Sequence, residues 1–366
     1  MSSGTVSHWV AHARGQRLDR VSFANRKPGR AWNRTPAKLE QRILCVRSAL
    51  REKSVLGEYG PDAIRLALEQ DRALDQVPAR ATIHRVLARH GVLDGVHRQR
   101  RPAPPKGWYL PNLAYGRAEL DSFDFIEDLK IAGGPLVDVL TGTSLHGALA
   151  EAWIMERPSA RTTLQALVER WRRDGLPTYA QFDNATIFQG THHSVDTVGR
   201  ISRLCLALGV VPVFAPPREP GFQNAIEGFN ALWQSKVWQR HHFPDAEILA
   251  SVSACYIAAY RAKTAARREL APNRHSLPEG FRLDLRSQLK GTMIFLRRSN
   301  QNGNVDLLGR SFPVDTNWPH RLVRSEVDFT HQRIRFYALR RRDPDNHPLL
   351  REIHYPRPHK RFQGRS

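Results

Sequence analysis

Cysteine, long apolar runs and acidic residues are all scarce in this 366-residue chain, and each shortage excludes a class of protein. The three cysteines, Cys45, Cys205 and Cys255, are widely spaced without a CxxC pair, which excludes a disulfide framework and a zinc knuckle. No stretch approaches the roughly 18 apolar residues of a membrane span. The N-terminus lacks the apolar segment of a secretory signal. We therefore expect a cytoplasmic protein with no membrane partner.

The acidic residues number 35 against 56 lysines and arginines, so the formal net charge is +21 and the isoelectric point is about 10.8. Most of the basic residues are arginines, whose planar guanidinium binds phosphate through paired hydrogen bonds. A field of this sign attracts polyanions, of which nucleic acid is the commonest. A generic basic surface, as on a ribosomal or membrane-surface protein, is the plain alternative. The balance favours a nucleic-acid-binding, nucleoid-associated protein.

The N-terminal part of the chain predicts a basic arm followed by a small helical domain. Residues 1–36 are basic with little apolar periodicity, which is typical of a flexible arm. Residues 37–94 contain three stretches of helical periodicity, as in a helix-turn-helix domain. The last stretch would expose four residues that we expect to contact DNA: Arg80, His84, Arg85 and Arg89. A three-helix bundle with an ordinary charged face remains the alternative. A basic, proline-rich linker at 95–116 follows.

The remainder of the chain predicts a mixed core and an all-β end, so the whole chain is expected to be multidomain. Over residues 117–270 the order is three strands, helix, strand, helix, short buried strand and further helices. This order predicts an α/β ribonuclease-H-like core, because a doubly wound fold would not open with a three-stranded meander. Residues 288–356 show period-two alternation, which predicts a small β-barrel. Residues 357–366 form a basic tail.

Three acids stand out by position, because a basic DNA-binding protein has little use for buried carboxylates unless they hold a cation. Asp124 lies in the first core strand, Asp183 ends the fourth, and Glu227 follows a proline-rich loop on a helix. Each has a plainer interpretation. Asp183 could form an Asx turn, and Glu227 could be an exposed helix acid. Asp124 has four rivals nearby: Asp121, Glu127, Asp128 and Asp138. The pairs at 192–193 and 241–242 are histidines without a third ligand at matching spacing, so we do not expect metal there.

The segments SFDF, FDNATIF and PPREPGFQNAIEGF, in this order, resemble the catalytic core of retroviral integrases and bacterial insertion-sequence transposases of the DDE type. The HRVLARHG segment is also similar to the helix-turn-helix of such transposases, and the likeness covers roughly residues 40–270. It implies DNA cleavage and strand transfer with two Mg²⁺ or Mn²⁺ ions. Asp124 would bridge both ions, and Asp183 and Glu227 would each bind one. Asn184 and Asn224 would support the site.

The same resemblance implies partners and leaves alternatives open. The substrate would be double-stranded DNA, both element ends and target, and the protein would act as a homo-oligomer; a partner ATPase is not excluded. Ala185 stands where the family usually has glycine, and Gly228, Asn230 and Ala231 occupy the stretch after Glu227 where basic residues are often found. A non-catalytic DNA-binding regulator or assembly subunit is therefore the alternative function. A plain ribonuclease-H-type nuclease, which cuts without joining, is a third.

Overall fold

The computed structural model describes the following residues: 3–17, 35–71, 74, 76–93, 106–132, 134–190, 195–219, 221–341, 343 and 345–356. The chain divides into two compact units, residues 1–54 with 58–95 and residues 55–57 with 96–366. About half of the predicted arm and of the predicted linker, together with the histidine pair 192–193 and the tail, lies outside the described residues. Within the described residues, every helix is too short or too polar to cross a bilayer.

The first unit consists of helices, whose bounds are α1 (Ser3–Ala13), α2 (Ala37–Lys53), α3 (Pro61–Glu69) and α4 (Arg80–Arg89). Pro61 opens α3 at a position where its missing N–H costs nothing. Helices α2 to α4 enclose a small core, in which Ile43, Ile64 and Ile83 are fully buried. The connection from α3 to α4 covers residues 70–79, longer than the three or four residues of a helix-turn-helix. The helix-turn-helix thus stays a prediction.

The second unit contains the helices α5 (Pro111–Ala114), α6 (Ala160–Asp174), α7 (Thr186–Gln189), α8 (Arg200–Ala207), α9 (Asn224–Lys236), α10 (Ala246–Lys263) and α11 (Ala265–Glu269). Its strands are β1 (Leu120–Lys130), β2 (Leu136–Ser144), β3 (Glu151–Met155), β4 (Tyr179–Phe182), β5 (Val211–Phe214), β6 (Thr292–Arg298), β7 (Asn304–Leu307), β8 (Arg310–Pro313), β9 (Leu322–Asp328), β10 (Arg333–Ala338) and β11 (Leu349–His354).

Nine of these strands form one mixed sheet in the order β11-β10-β9-β6-β5-β4-β1-β2-β3. β1, β2 and β3 form an antiparallel meander, and β4 and β5 continue it in parallel. Strands β1 to β5, with the helices between them, follow the element order expected for the core. Side chains alternate between the two faces of a strand, so β1 sends Phe123 toward α6 and α8 and Ile126 toward α9 and α10. The sheet is therefore covered on both faces.

The expected separate β-barrel over residues 288–356 is wrong. β6 pairs with β5 in parallel, with Phe214 opposite Phe295, and β9, β10 and β11 extend the same sheet. Phe295 stacks on Phe214 with ring centroids 5.1 Å apart, and one hydrophobic core runs through both regions. Only β7 and β8 form a separate hairpin. Period-two alternation identifies a strand but not its neighbour, and β6 has the unbroken burial of a central strand.

The expected flexible arm is also corrected in part, because residues Ser3–Ala13 form α1. Trp9 contacts His8 and His12 edge-on, with centroids 5.9 and 5.8 Å away. Residues three apart are neighbours on a helix surface, so the second of these contacts supports the helix locally. The basic composition of this segment hides a short helix that charge alone does not predict.

Candidate active site

Asp124 lies in the middle of β1, opposite Thr141 of β2. Its Oδ1 accepts a hydrogen bond from the backbone N–H of Phe125 at 2.9 Å, and its Oδ2 accepts one from Asn230 Nδ2 at 2.9 Å. The carboxyl is partly buried on the face that α9 covers, because Ile126, two residues on, packs in the α9 core. Asp124 therefore sits in a polar gap between the sheet and α9.

Asp183 follows Phe182, the last residue of β4. β1 and β4 run parallel with Ser122 opposite Gln181, so two residues further along each strand Asp183 reaches the level of Asp124. Asp183 Oδ1 accepts a hydrogen bond from the N–H of Ala185 at 3.0 Å, which is the Asx turn that was the plainer interpretation. The turn and a role at the site are compatible, because a carboxylate has further lone pairs to offer.

Glu227 lies in the first turn of α9 and is exposed. α9 packs against the sheet through Ile226, Phe229 and Trp233, which are buried in the cluster with Ile126. Glu227 directly follows Ile226 in this helix. Its negative charge is close enough to contribute to the raised pKa of Asp124. Asp124 in the middle of β1, Asp183 at the end of β4 and Glu227 in the first turn of α9 thus lie on neighbouring elements.

Burial and nearby negative charge both disfavour the ionised form of Asp124. Burial raises the pKa of Asp124 to about 6, aided by the negative charge of Asp183 and, to a smaller extent, Glu227. Burial also raises the pKa of Asp183. A bound cation would relieve both effects. In the described part of the chain, however, no three His, Cys, Asp or Glu side chains lie close enough together to hold a metal ion.

Asn230 is a site residue that the sequence analysis missed. It is almost fully buried on α9, donates to Asp124 Oδ2, and its Oδ1 lies 2.6 Å from the Thr141 hydroxyl, which can donate to it. This side chain therefore joins α9 to β1 and β2 at the candidate site. The available signal was a polar residue one turn after Glu227, on the helix face that carries Ile226 and Trp233.

The two asparagines expected to support the acids have different surroundings. Asn184 donates to the backbone oxygen of Ala215 at 2.7 Å and accepts from Arg297 Nη2 at 2.7 Å. Burial lowers the pKa of Arg297 to about 10. Asn184 thus braces the end of β4 against β5 and β6. Asn224 is exposed at the start of α9 and lines a cavity of about 300 Å³.

The rivals of Asp124 have other roles. Asp121 is fully buried and receives hydrogen bonds from Arg170, Arg274 and the Trp171 indole. Burial alone would raise the pKa of Asp121, but the two guanidinium groups hold it below its usual range. Asp121 is therefore a structural counter-charge. The others lie at the far end of the hairpin, where Asp138 accepts from the N–H of Asp128 and Glu127 is exposed.

The four residues predicted to contact DNA are all exposed on α4. Arg80 pairs with Asp62 at 2.8 Å, and Arg89 pairs with the buried carboxylate of Glu40. Arg85 donates hydrogen bonds to two residues of its own helix, to Ala81 O at 3.2 Å and to Thr82 Oγ1 at 3.3 Å. Arg89 thus has a structural partner in Glu40, and the DNA contacts stay a prediction.

Comparison with known proteins gives likeness in structure only. No protein-family model matches the chain, and no curated protein matches it. One similar solved structure is the catalytic core domain of BIV integrase, at 17% identity over 38% of this chain and 81% of that one, with a TM-score of 0.28. Another is the simian T-cell lymphotropic virus intasome in complex with the PP2A regulatory subunit B56 gamma, at 12% identity over 80% and 88%, with a TM-score of 0.34. At these values the function has to be argued from the residues of this chain.

Proposed function

We propose that this chain is a DNA-cutting and DNA-joining enzyme of the transposase or integrase type. The observation that carries the proposal is the raised pKa of Asp124 beside Asp183 and Glu227 in a chain with a net charge of +21. Acids that repel one another inside a basic protein are costly unless they bind a cation during function. The acids of the three sequence motifs, taken in chain order, lie on β1, after β4 and on α9.

The donor set fits hard divalent cations such as Mg²⁺ or Mn²⁺, which take carboxylate oxygens and water. Asp124 and Asp183 would hold such ions from the sheet, and Glu227 would complete the set from α9. Among the described residues no three acids lie close enough together to hold a metal ion, so in this proposal Glu227 would have to approach the other two on binding. The ions would supply neutralisation of charge on the reacting phosphoryl oxygens.

The residues of this chain would do the rest of the work by holding the acids in place. Asn230 fixes the Oδ2 atom of Asp124, and the N–H of Ala185 fixes Asp183 Oδ1. Both oxygens of Asp124 accept a hydrogen bond, so this acid would offer a cation their remaining lone pairs, and the hydrogen-bonded oxygen of Asp183 likewise has a lone pair left. Double-stranded DNA would be the substrate, and two subunits or more would be needed to join two ends.

A non-catalytic DNA-binding subunit is the second candidate, and the same missing three-acid group favours it. One assay separates the two functions. Purified protein is incubated with labelled DNA carrying the ends that flank its gene, with Mg²⁺ or Mn²⁺. We expect joined products from the wild type, none from Asp183→Asn, and wild-type amounts from Glu156→Gln, an exposed acid beyond β3. Binding without cutting or joining, equal in all three proteins, would overturn the enzyme proposal.

A further inference from the structure

The 300 Å³ cavity that Asn224 lines lies beside the candidate active site on the same face of the sheet. Ser122 lines its floor, and alternate residues of a strand point to one face, so Ser122 and Asp124 share that face. Two residues along a strand span about 6.6 Å. The cavity thus begins at Ser122, two residues before Asp124 on β1. Thr143 of β2, which pairs with Ser122, also lines it.

The lining of this cavity is mixed, more apolar than polar, and its two cationic residues are exposed to solvent. Among the described residues, the lining includes Lys106 and Arg267 and no acidic residue. Arg267 donates to the backbone oxygen of Leu145 at 3.1 Å. Burial and the positive charge of Arg267 lower the pKa of Lys106, and the nearby buried Glu119 opposes this only in part. Lys106 and Arg267 thus lie near one another, with Glu119 as a nearby negative charge.

The start of α9 forms another part of the wall, through Asn224 and Ala225. α9 is 13 residues long, and its N-terminal N–H groups carry a partial positive charge. No side chain caps this end of the helix. The N-terminus of a helix together with Lys and Arg side chains is the recurrent chemistry of phosphate sites.

The opposite wall is held rigid by a chain of hydrogen bonds. Ser122 Oγ donates to Gln181 Oε1 at 3.1 Å, Gln181 Nε2 donates to the Tyr109 hydroxyl at 2.9 Å, and that hydroxyl donates to Phe222 O at 3.1 Å. Trp108 packs on Phe222 with centroids 5.5 Å apart. This wall therefore joins β1, β4 and the loop before α9, so the cavity keeps its shape without a ligand.

We propose that this cavity is a phosphate-binding subsite in which Lys106 and Arg267 hold one phosphate group beside the candidate active site. If the phosphate comes from DNA, which rests on the proposed function, it is the backbone phosphate next to the reacting phosphate. A free phosphate compound has the same chemistry and is the other source. The volume, at the lower end of the range for ligand pockets, fits a phosphate with part of its nucleotide.

The test measures protection of Lys106 in the full chain, with no divalent metal present, so that catalysis plays no part. The lowered pKa makes the Lys106 amine more reactive toward an acylating reagent at pH 8, and mass spectrometry gives its acylation rate against that of the exposed Lys290. The probes are inorganic pyrophosphate and a duplex oligonucleotide. At a probe concentration ten times its Kd we expect the Lys106 rate to fall about tenfold, with Lys290 unchanged.

Matched variants on α11 decide whether the protection is specific. Arg267→Gln should weaken the protecting probe about tenfold, because it removes a hydrogen bond from a charged donor. Arg268→Gln, on the same helix but outside the cavity lining, should leave protection unchanged. Protection by pyrophosphate alone assigns the site to a free phosphate compound, and protection by DNA alone assigns it to the DNA backbone.

Two results would overturn the subsite: no protection by either probe, or protection that Arg267→Gln leaves intact. The outcome is independent of the proposed function. If the protein joins DNA but Lys106 stays unprotected, the proposed function stands and the subsite proposal fails. A protein that shows Arg267-dependent protection by pyrophosphate but neither binds nor joins DNA keeps the subsite and loses the function.

Discussion

At the scale of single residues, ionisation of the Asp124 carboxyl lowers the stability of the folded protein. Its pKa is about 6 in the folded protein against an ordinary value of 3.8, so the folded state is penalised once the carboxyl ionises. The resulting loss of unfolding free energy is complete above about pH 6, where the carboxyl is ionised in the folded protein. It disappears as the pH falls to about 4, where the carboxyl is protonated in the folded state. We expect Asp124→Asn to raise the free energy of unfolding at pH 8 by about 2 kcal/mol, with little gain at pH 4. Urea unfolding at both pH values measures this; an equal gain at both would contradict it.

Asp121, three residues earlier on β1, should behave in the opposite way. It is the buried counter-charge of Arg170 and Arg274, and Arg170 is fully buried as well. Removing one partner leaves uncompensated buried charge, so Asp121→Asn should cost about 3–5 kcal/mol of unfolding free energy at pH 7. Asp128→Asn, at an exposed position of the same strand, should stay within about 0.5 kcal/mol. Similar losses of unfolding free energy in both variants would show that the ion pairs of Asp121 do not stabilise the fold.

The sequence could predict these acids by position but not their surroundings. Asp124, Asp183 and Glu227 follow strand and helix patterns that a single sequence carries. The partners do not, because Asn230, Thr141 and Arg274 are distant along the chain and meet only through packing. Asp121 and Asp124 accordingly looked alike in sequence, although one is paired with arginines and the other faces like charges.

At the scale of elements, the strand pairing of β6 is the main departure from expectation. The alternating pattern predicted the C-terminal strands correctly as strands, and their joining to β5 depends on a parallel register that no local signal encodes. β6 covers an edge that β5 would otherwise leave open. The C-terminal strands therefore belong to the fold of the core.

This pairing predicts the result of truncation. A chain ending at residue 287 would expose the edge of β5 and the face of Phe214, so we expect it to aggregate or to lose cooperative thermal unfolding. A chain ending at residue 356 keeps all eleven strands and should unfold like the full chain. Light scattering and calorimetry distinguish the two. A monomeric, cooperatively folded 287-residue chain would mean that the C-terminal strands form an independent domain after all.

At the scale of the whole molecule, the net charge of +21 would govern the binding of the DNA that we propose as the substrate. Each phosphate contact made by a basic residue adds about 0.9 to the slope of log K against log salt. We expect Arg85→Ala to weaken binding to the element ends and to lower this slope by about 1. Arg65→Ala, on α3 and paired with Glu69, is the control and should change neither. A slope unchanged by Arg85→Ala would remove this residue from the interface.

The position of β4 and β5 inside a nine-stranded sheet has a consequence for dynamics. Both strands have neighbours on both edges, and Asp183 directly follows β4. Local opening that starts at the sheet edges, at β11 or β3, has several ladders to break before it reaches them. The amides of β4 and β5 should therefore be among the slowest of the chain in hydrogen exchange. The acid at the end of β4 is thus anchored to the part of the molecule that opens last, while Glu227, in the first turn of a helix, has more freedom to move.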